Sequence, residues 1–170
     1  MGTPAAVRWC KFLPAGMSDS FAQRGGWWVV GQSLLISVIG ILGVAGRTTL
    51  NLPASFIGGL VLLVISAVCG VAGLLALGPN LSPFPKPSAN TQFVQRGIYG
   101  LIRHPLYTSV FCAALGWSLV WQGWAALVIS LALGVFLDAK ARHEERWLRQ
   151  QFPDYATYAQ QVRRFIPWIY

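Results

Sequence analysis

The sequence predicts an all-α integral membrane protein with about four transmembrane helices, and three observations support this fold class. Of the 170 residues, 55% are hydrophobic and only 11% are charged, and the mean hydropathy is +0.53. Long apolar stretches alternate with short polar or proline-rich connections. The basic residues lie between those stretches rather than within them. Such a composition is typical of a bilayer protein and excludes an ordinary soluble domain.

Two long uncharged stretches predict the first two membrane-spanning helices. Residues 27–45 carry no charge, and about 19 residues at 1.5 Å each cross a hydrocarbon core of ~30 Å. Three glycines in this stretch, Gly31, Gly40 and Gly43, would let a neighbouring helix approach closely. Residues 56–77 are again long and uncharged, so the second helix returns the chain to its starting side.

A proline-rich connection, residues 78–87, follows the second helix. Its prolines exclude a regular helix, because proline lacks an amide donor and fixes φ. We interpret this connection as a stiff surface linker. The alternative is a shelf beside a functional site.

Two shorter apolar stretches predict a helical hairpin. One begins at Pro105, a residue accepted in the first turn of a helix, and runs to about Trp121, and the other covers residues 124–137. Only Gln122 and Gly123 separate them, which favours antiparallel arms. Beyond residue 137 the chain is dense in charge and in helix formers, so the fourth helix should continue into water. A short helix is predicted at residues 156–164, with Pro167 as its stop.

The distribution of basic residues predicts that both termini are cytoplasmic. Thirteen Lys and Arg against five Asp and Glu give a formal charge of +8, and in the predicted topology only Arg47 lies on the less basic side. By the positive-inside rule the other side faces the cytoplasm, in the inner or plasma membrane of a bacterial cell. The expected partners are membrane lipids with anionic headgroups, and nucleic acid is not expected. The oligomeric state stays open.

This topology brings two polar segments to one face of the membrane. Arg103 and His104 precede the hairpin and Glu144 and Glu145 follow it, so the two pairs can meet. The nearby tyrosines are Tyr99, Tyr107, Tyr155 and Tyr158. Cations, carboxylates and aromatic rings at the headgroup level suit a zwitterionic ligand that meets a lipid: arginine binds a carboxylate, glutamate accepts from hydroxyls or an ammonium, and an aromatic face holds a sulfonium.

The pattern alone leaves simpler interpretations open. Glu145 could pair with Arg149 on a solvated helix face, and His104 and the tyrosines could form an interfacial belt. The cysteines, Cys10, Cys69 and Cys112, are scattered, and neither a metal site nor a disulfide is predicted. The sequence contains no motif of zinc hydrolases, serine hydrolases or P-loop enzymes.

The order of motifs in residues 77–170 resembles the integral-membrane methyltransferases that act on isoprenylcysteine carboxyl groups and on phospholipid amines. The matching segments are Leu81-Ser82-Pro83-Phe84-Pro85, Gly97-Ile98-Tyr99, Arg103-His104-Pro105-Leu106-Tyr107, Glu144-Glu145-Arg146-Trp147-Leu148, Phe152-Pro153-Asp154-Tyr155-Ala156-Thr157-Tyr158 and Pro167. One position departs from the pattern, since Ser109 stands where the family usually has glycine. Packing or cofactor approach near Ser109 is therefore expected to differ.

The resemblance implies S-adenosylmethionine as the methyl donor and a lipidic acceptor, either a phospholipid amine or an isoprenylcysteine-like carboxylate. It makes residues 78–170 a methyltransferase core, which follows the cytosolic N-terminal segment (1–26) and the two transmembrane helices (27–77) predicted from charge and hydropathy. It assigns catalytic roles to Arg103, His104, Glu144 and Glu145, and cofactor binding to these four with Tyr99, Pro105 and Tyr107. Tyr155 and Tyr158 are expected at the acceptor.

Three other functions compete with this interpretation. A sterol-reductase-like enzyme of the same membrane architecture would use a reduced nicotinamide dinucleotide. A small transporter usually needs an ionisable residue at mid-membrane, and the apolar stretches contain none. A non-enzymatic membrane subunit would bind neither cofactor.

Overall fold

The computed structural model describes residue 21 and residues 24–46, 53–82, 84, 86 and 92–170, and in these ranges the fold consists of helices without a β-sheet. The α-helices are α1 (Gly26–Ala45), α2 (Pro53–Leu77), α3 (Pro105–Val120), α4 (Trp124–Gln151) and α5 (Tyr155–Gln161). Two 3-10 turns, Gly78–Asn80 and Gly97–Gly100, lie between α2 and α3. The all-α prediction is confirmed, and the first four helices begin within a few residues of the predicted positions.

Three of these helices are long and apolar enough to cross a membrane: α1, α2 with its following 3-10 turn, and α4. The fourth apolar helix, α3, has 16 residues, about 24 Å at 1.5 Å per residue. Large apolar side chains such as Leu34, Ile41, Leu75 and Val135 point outward on the long helices. An exposed apolar surface of this kind is suited to lipid rather than to water. The structure thus supports a membrane protein with three candidate spanning helices, where the sequence predicted about four.

The predicted hairpin is confirmed. α3 and α4 pack together around a core that includes Ala114, Ala126 and Leu133. Inside the hairpin the hydroxyls of Ser118 and Ser130 lie 3.0 Å apart, and each also donates to a carbonyl of its own helix. Both hydroxyls are therefore satisfied although both side chains are buried. α4 continues through Gln151 without a break, as predicted.

α1 packs against α4 and α2 packs against α3, and glycines set the closest contacts. Gly43 lies under the indole of Trp117, and a Cβ added at Gly31 would lie 3.0 Å from Phe136. Gly40 has no neighbour within 4 Å of an added Cβ, so its predicted role in close packing is wrong. Nothing in the helix contacts requires glycine there.

Ser109, the departure from the family pattern, belongs to the interface between α2 and α3. Its hydroxyl donates to the carbonyl of Ser66 at 2.8 Å, and the Ser66 hydroxyl donates to the carbonyl of Ser109 at 2.8 Å. A Cβ added at Gly70 would lie 2.7 Å from the Ser109 hydroxyl. The altered packing expected near this position is therefore a hydrogen-bonded contact between helices, of the kind that joins helices in lipid.

One predicted helix is shorter than expected. α5 ends at Gln161, not at Arg164, and the next residues are extended. Arg163 forms a parallel β-bridge with Ile102, and the carbonyls of Arg163 and Arg164 accept from the amides of Arg103 (2.8 Å) and His104 (3.1 Å). These backbone partners lie about 60 residues away in sequence, so local helix propensity could not reveal them.

Some predictions fall outside the described residues. They include Cys10, Arg47, the central prolines of the connection and nearly all of the N-terminal segment 1–26. Cys69 and Cys112 are free thiols and half-buried.

The packing of α2 against α3 predicts a sharp difference between two adjacent glycines. An added Cβ at Gly59 would lie 2.8 Å from the carbonyl oxygen of Gly116 and 2.9 Å from the amide of Val120, whereas Gly58 has no neighbour within 4 Å. We expect Gly59→Ala to destabilise the protein by about 1–3 kcal/mol, since backbone atoms cannot yield as a side-chain tip can. Thermal unfolding in detergent, followed by circular dichroism, measures this. Equal Tm values for Gly58→Ala and Gly59→Ala would contradict the helix contact.

Candidate functional site

The polar segments on either side of the hairpin meet as predicted. The 3-10 turn Gly97–Gly100 and the first turn of α3 supply one side of the site, and the C-terminal half of α4 supplies the other. Pro105 occupies the first position of α3, where its missing amide costs no hydrogen bond. α5 and the extended residues after it close the cluster.

Glu145 is the centre of the polar cluster, and it is only 3% exposed. Its Oε1 lies 3.2 Å from His104 Nε2 and 3.5 Å from an Arg103 Nη. Arg164 donates to both carboxylate oxygens, from Nε at 3.0 Å and from Nη2 at 3.1 Å. Glu145 thus lies within a buried ion network, and the interpretation of it as a solvated residue paired with Arg149 is wrong.

Glu144 has a different environment from its neighbour. Its carboxylate accepts a 2.6 Å hydrogen bond from the Tyr107 hydroxyl, and it lies 4.0 Å from His104 Nδ1. Its side chain is 24% exposed and lines a cleft. Consecutive residues on a helix point about 100° apart, so Glu145 turns into the protein while Glu144 turns toward the cleft.

The ring of His104 lies between the two carboxylates. It is buried, its two nitrogens face different glutamates, and it stacks parallel to the Tyr107 ring at 5.2 Å. The interpretation of His104 as a headgroup-facing residue is therefore wrong.

Aromatic side chains form much of the cleft wall. Phe93 stacks on Phe152 at 5.2 Å and contacts the rings of Tyr155 and Tyr158. The lining also includes Tyr99, Arg103, His104, Tyr107 and Glu144. Tyr155 and Tyr158 are buried, so they do not belong to an interfacial belt. Pro105 is buried below the cleft and packs toward α2, so its predicted place at a ligand has no support in the lining.

The connection after α2 contributes to the same cleft. Asn80, Ser82, Phe84 and Gln92 all line it, and the Gln92 amide donates to the Asn80 side chain at 2.9 Å. The described part of this connection therefore acts as a shelf beside the site, which was the alternative to a plain linker.

The cleft tyrosines are neutral donors at ordinary pH. Burial raises the pKa of Tyr158 to about 12, although the positive charge of Arg103 lowers it in part. Burial also raises the pKa of Tyr99 and of Tyr155. The Tyr158 hydroxyl donates to the carbonyl of Tyr99 at 2.5 Å and so fastens α5 to the 3-10 turn. Among the described residues, the Tyr155 hydroxyl and Arg103 Nε are buried without a hydrogen-bond partner.

Sequence reasoning missed the second half of the ion network. In the sequence, Arg164 was considered only as part of the positive charge of the tail. In the structure it joins Glu145 to Asp138, to which it donates from Nη1 at 2.9 Å. The Tyr170 hydroxyl donates to the same Asp138 oxygen at 3.0 Å. One signal was available: Asp138 directly follows an apolar stretch, where a carboxylate needs a cation nearby. The hydrogen bonds with Glu145 raise the pKa of Arg164, which stays charged.

Lys140 is the other polar residue that the sequence did not single out. It is buried on α4, donates to the side-chain oxygen of Gln32 on α1 at 2.7 Å, and lies 5.0 Å from the ring centre of Tyr107. A cation over an aromatic face is a favourable contact. Lys140 therefore links α1 to the base of the site.

Comparisons with known proteins match one family model and several curated relatives. A family model described as phospholipid methyltransferase matches residues 54–155, well over half of the chain. The chain is 35% identical over 79 residues to the cobalt-zinc-cadmium resistance protein CzcN of Cupriavidus metallidurans, a match covering 46% of this chain and 37% of that protein. It is 28% identical over 115 residues to a probable protein-S-isoprenylcysteine O-methyltransferase of Oryza sativa, covering 65% of this chain and 60% of the rice protein.

The chain therefore spans less than two thirds of the length of these curated relatives. Within the described ranges, no group of three or more His, Cys, Asp or Glu side chains could hold a metal ion. The described site is built instead from cations, carboxylates and aromatic rings.

The ion network predicts that Arg164 stabilises the site although it does not line the cleft. Arg164→Ala removes two hydrogen bonds to a buried carboxylate, and bonds to charged groups contribute about 1.5–3 kcal/mol each. We expect a clear loss in Tm in detergent, and an intermediate loss for Arg164→Lys, because lysine keeps the charge without the bidentate fork.

Arg149→Ala is the matched control, since Arg149 is an exposed arginine in the last turn of α4. An Arg164→Ala protein as stable as the Arg149→Ala protein would contradict the network.

Proposed function

Because the chain belongs to the phospholipid methyltransferase family, we propose that it is a membrane methyltransferase that uses S-adenosylmethionine and methylates a lipidic acceptor. The observation that carries this proposal is the cleft in which the Arg103 and His104 segment meets Glu144 beneath a wall of aromatic rings. S-adenosylmethionine supplies a methyl group activated by a positively charged sulfur.

The donor set of the cleft fits this cofactor. S-adenosylmethionine carries a carboxylate, an ammonium, a ribose diol, an adenine ring and a sulfonium. The cleft is lined by the Arg103 guanidinium, whose buried Nε has no hydrogen-bond partner, by the partly exposed carboxylate of Glu144, and by stacked rings around Phe93. Arginine recognises carboxylates, glutamate recognises hydroxyls and ammonium groups, and aromatic faces attract cations. Each chemical group of the cofactor thus has a counterpart among the lining residues.

The two glutamates have different roles in this proposal. Glu145 does not line the cleft and is surrounded by Arg103, His104 and Arg164, so it holds these three side chains in position. Glu144 lines the cleft and is free on one side to meet a ligand. Glu145 is therefore a positioning residue, and Glu144 is the carboxylate that contacts cofactor or substrate.

The acceptor is proposed to reach the cleft from the bilayer. Leu77 at the end of α2 and Leu106 in the first turn of α3 form an apolar part of the lining next to the membrane helices. A lipid tail can lie against that surface while its headgroup enters the polar part. If the headgroup is an ammonium, it must lose a proton, and Glu144 and His104 are the cleft residues able to accept it. If it is a carboxylate, the residues need only position it and exclude water.

The division between the glutamates predicts two distinct phenotypes. We expect Glu144→Gln to weaken binding of S-adenosylhomocysteine by at least about tenfold at unchanged Tm, since one charge-assisted contact is lost. We expect Glu145→Gln to lower Tm, because Arg103 and Arg164 lose their buried counter-charge and His104 loses its carboxylate partner. Isothermal titration calorimetry and thermal unfolding measure the two effects. Unchanged affinity in Glu144→Gln would remove Glu144 from the binding site.

The activity itself is tested with S-adenosylmethionine labelled in its methyl group. The purified chain is incubated with the labelled cofactor and with membrane lipid extract, and lipid products are separated and identified by mass spectrometry. We expect label in a lipid fraction, less label with Glu144→Gln at a limiting concentration of cofactor, and none without protein. No labelled lipid, together with binding of a reduced nicotinamide dinucleotide, would instead support a reductase.

A further inference from the structure

We propose that a second groove, distinct from the cleft, binds the headgroup of an anionic phospholipid. The groove is lined by Gly100, Leu101, Gln160, Gln161, Arg163 and Trp168. None of these residues lines the cleft described above. We call it the Arg163 groove.

Arg163 supplies the charge of this groove. Its backbone is fixed by the bridge to Ile102 and by the hydrogen bond from the Arg103 amide, at 2.8 Å. Its side chain is exposed and makes no ion pair with the described residues, whereas the adjacent Arg164 is bound to two carboxylates. An arginine on a fixed backbone, with two glutamine side chains beside it, is a donor set suited to a phosphate group.

Exposed apolar side chains lie in the groove and in the residues that follow Arg163. Trp168 is 84% exposed and Ile169 is 76% exposed, and Leu101 and Ile166 are exposed as well. Water is a poor environment for such a group of side chains, and a patch of this kind marks an interaction surface. Tryptophan favours the boundary between headgroups and acyl chains, where its ring is half in each.

The backbone holds Trp168 in this position. Its φ is 63°, in the left-handed region that a bulky side chain rarely adopts. The amides of Phe165 and Ile166 both donate to the Tyr170 carbonyl, and the Ile169 amide donates to the Ile166 carbonyl. The chain thus closes a turn that points the indole outward.

The position of the groove in the fold favours a lipid over a soluble anion. The extended segment at Arg163 pairs with Ile102. Ile102 lies three residues before the start of the apolar helix α3. The groove therefore lies at the end of the apolar helices, at the level where headgroups meet water. A guanidinium there attracts an anionic headgroup, and the exposed Trp168 and Ile169 can contact the upper acyl chain.

Native mass spectrometry of the full chain in detergent tests this proposal, with phosphatidylglycerol and phosphatidylcholine as probes. We expect the wild type to retain phosphatidylglycerol in preference to phosphatidylcholine, and Arg163→Ala and Arg163→Gln each to weaken its retention about tenfold. Arg149→Ala, which removes an equal charge from an exposed position, should retain it like the wild type. Far-UV circular dichroism checks that each variant is folded.

Several results would overturn the proposal. Equal retention by Arg163→Gln and Arg149→Ala would mean that the tail attracts lipid by its total charge. Equal retention of phosphatidylcholine would exclude recognition of the anion. Displacement by millimolar inorganic phosphate would identify a site for soluble anions, and a dimer abolished by Trp168→Ala would identify a second copy of the chain as the occupant. Because none of these measurements involves methyl transfer, they are independent of the proposed activity.

Discussion

The site depends on the neutralisation of one buried carboxylate. Glu145 is almost completely enclosed, and an enclosed charge is strongly unfavourable unless it is paired and hydrogen-bonded. Its partners come from two separate parts of the chain: Arg103 and His104 before the hairpin, and Arg164 after α5. A buried Glu145 carboxylate without partners would destabilise the folded chain. Its ion pairs therefore hold these parts of the chain together. Removal of any one partner weakens the position of the others, so the network behaves as one unit.

This arrangement explains how adjacent glutamates acquire different properties. A helix turns by about 100° per residue, so neighbouring side chains on α4 meet different surroundings. Glu145 meets Arg103, His104 and Arg164, and both of its oxygens have a partner. Glu144 meets the Tyr107 hydroxyl and the cleft, which leaves part of its carboxylate for a ligand. Glu145 fixes the side chains around it, and the adjacent Glu144 keeps part of its carboxylate available. Together they preorganise the binding site.

Sequence reasoning reached one half of this network and missed the other for a definite reason. The hairpin and the meeting of the Arg103-His104 segment with the Glu144-Glu145 segment followed from the apolar stretches and from loop charge, both of which are local patterns. Arg164 was out of reach because the segment around it has a helix-like composition, and only its pairing with Ile102 makes it extended. A β-bridge between residues so distant in sequence produces no repeating pattern of apolar residues from which it could be predicted. The buried contact of Lys140 was not predicted for a similar reason, since its partner Gln32 lies on another helix.

The bridge between Ile102 and Arg163 also bears on how the protein assembles in the membrane. The two residues lie on either side of the hairpin, so their pairing encloses both of its arms. If only one arm crossed the bilayer, the thickness of the hydrocarbon core, about 30 Å, would separate His104 from Glu145. The ion network can therefore close only when the two ends of the hairpin lie at the same side of the bilayer, so its closure is coupled to the path of both arms. A chain with its two ends on opposite sides would leave Glu145 without its partners from the Arg103 segment.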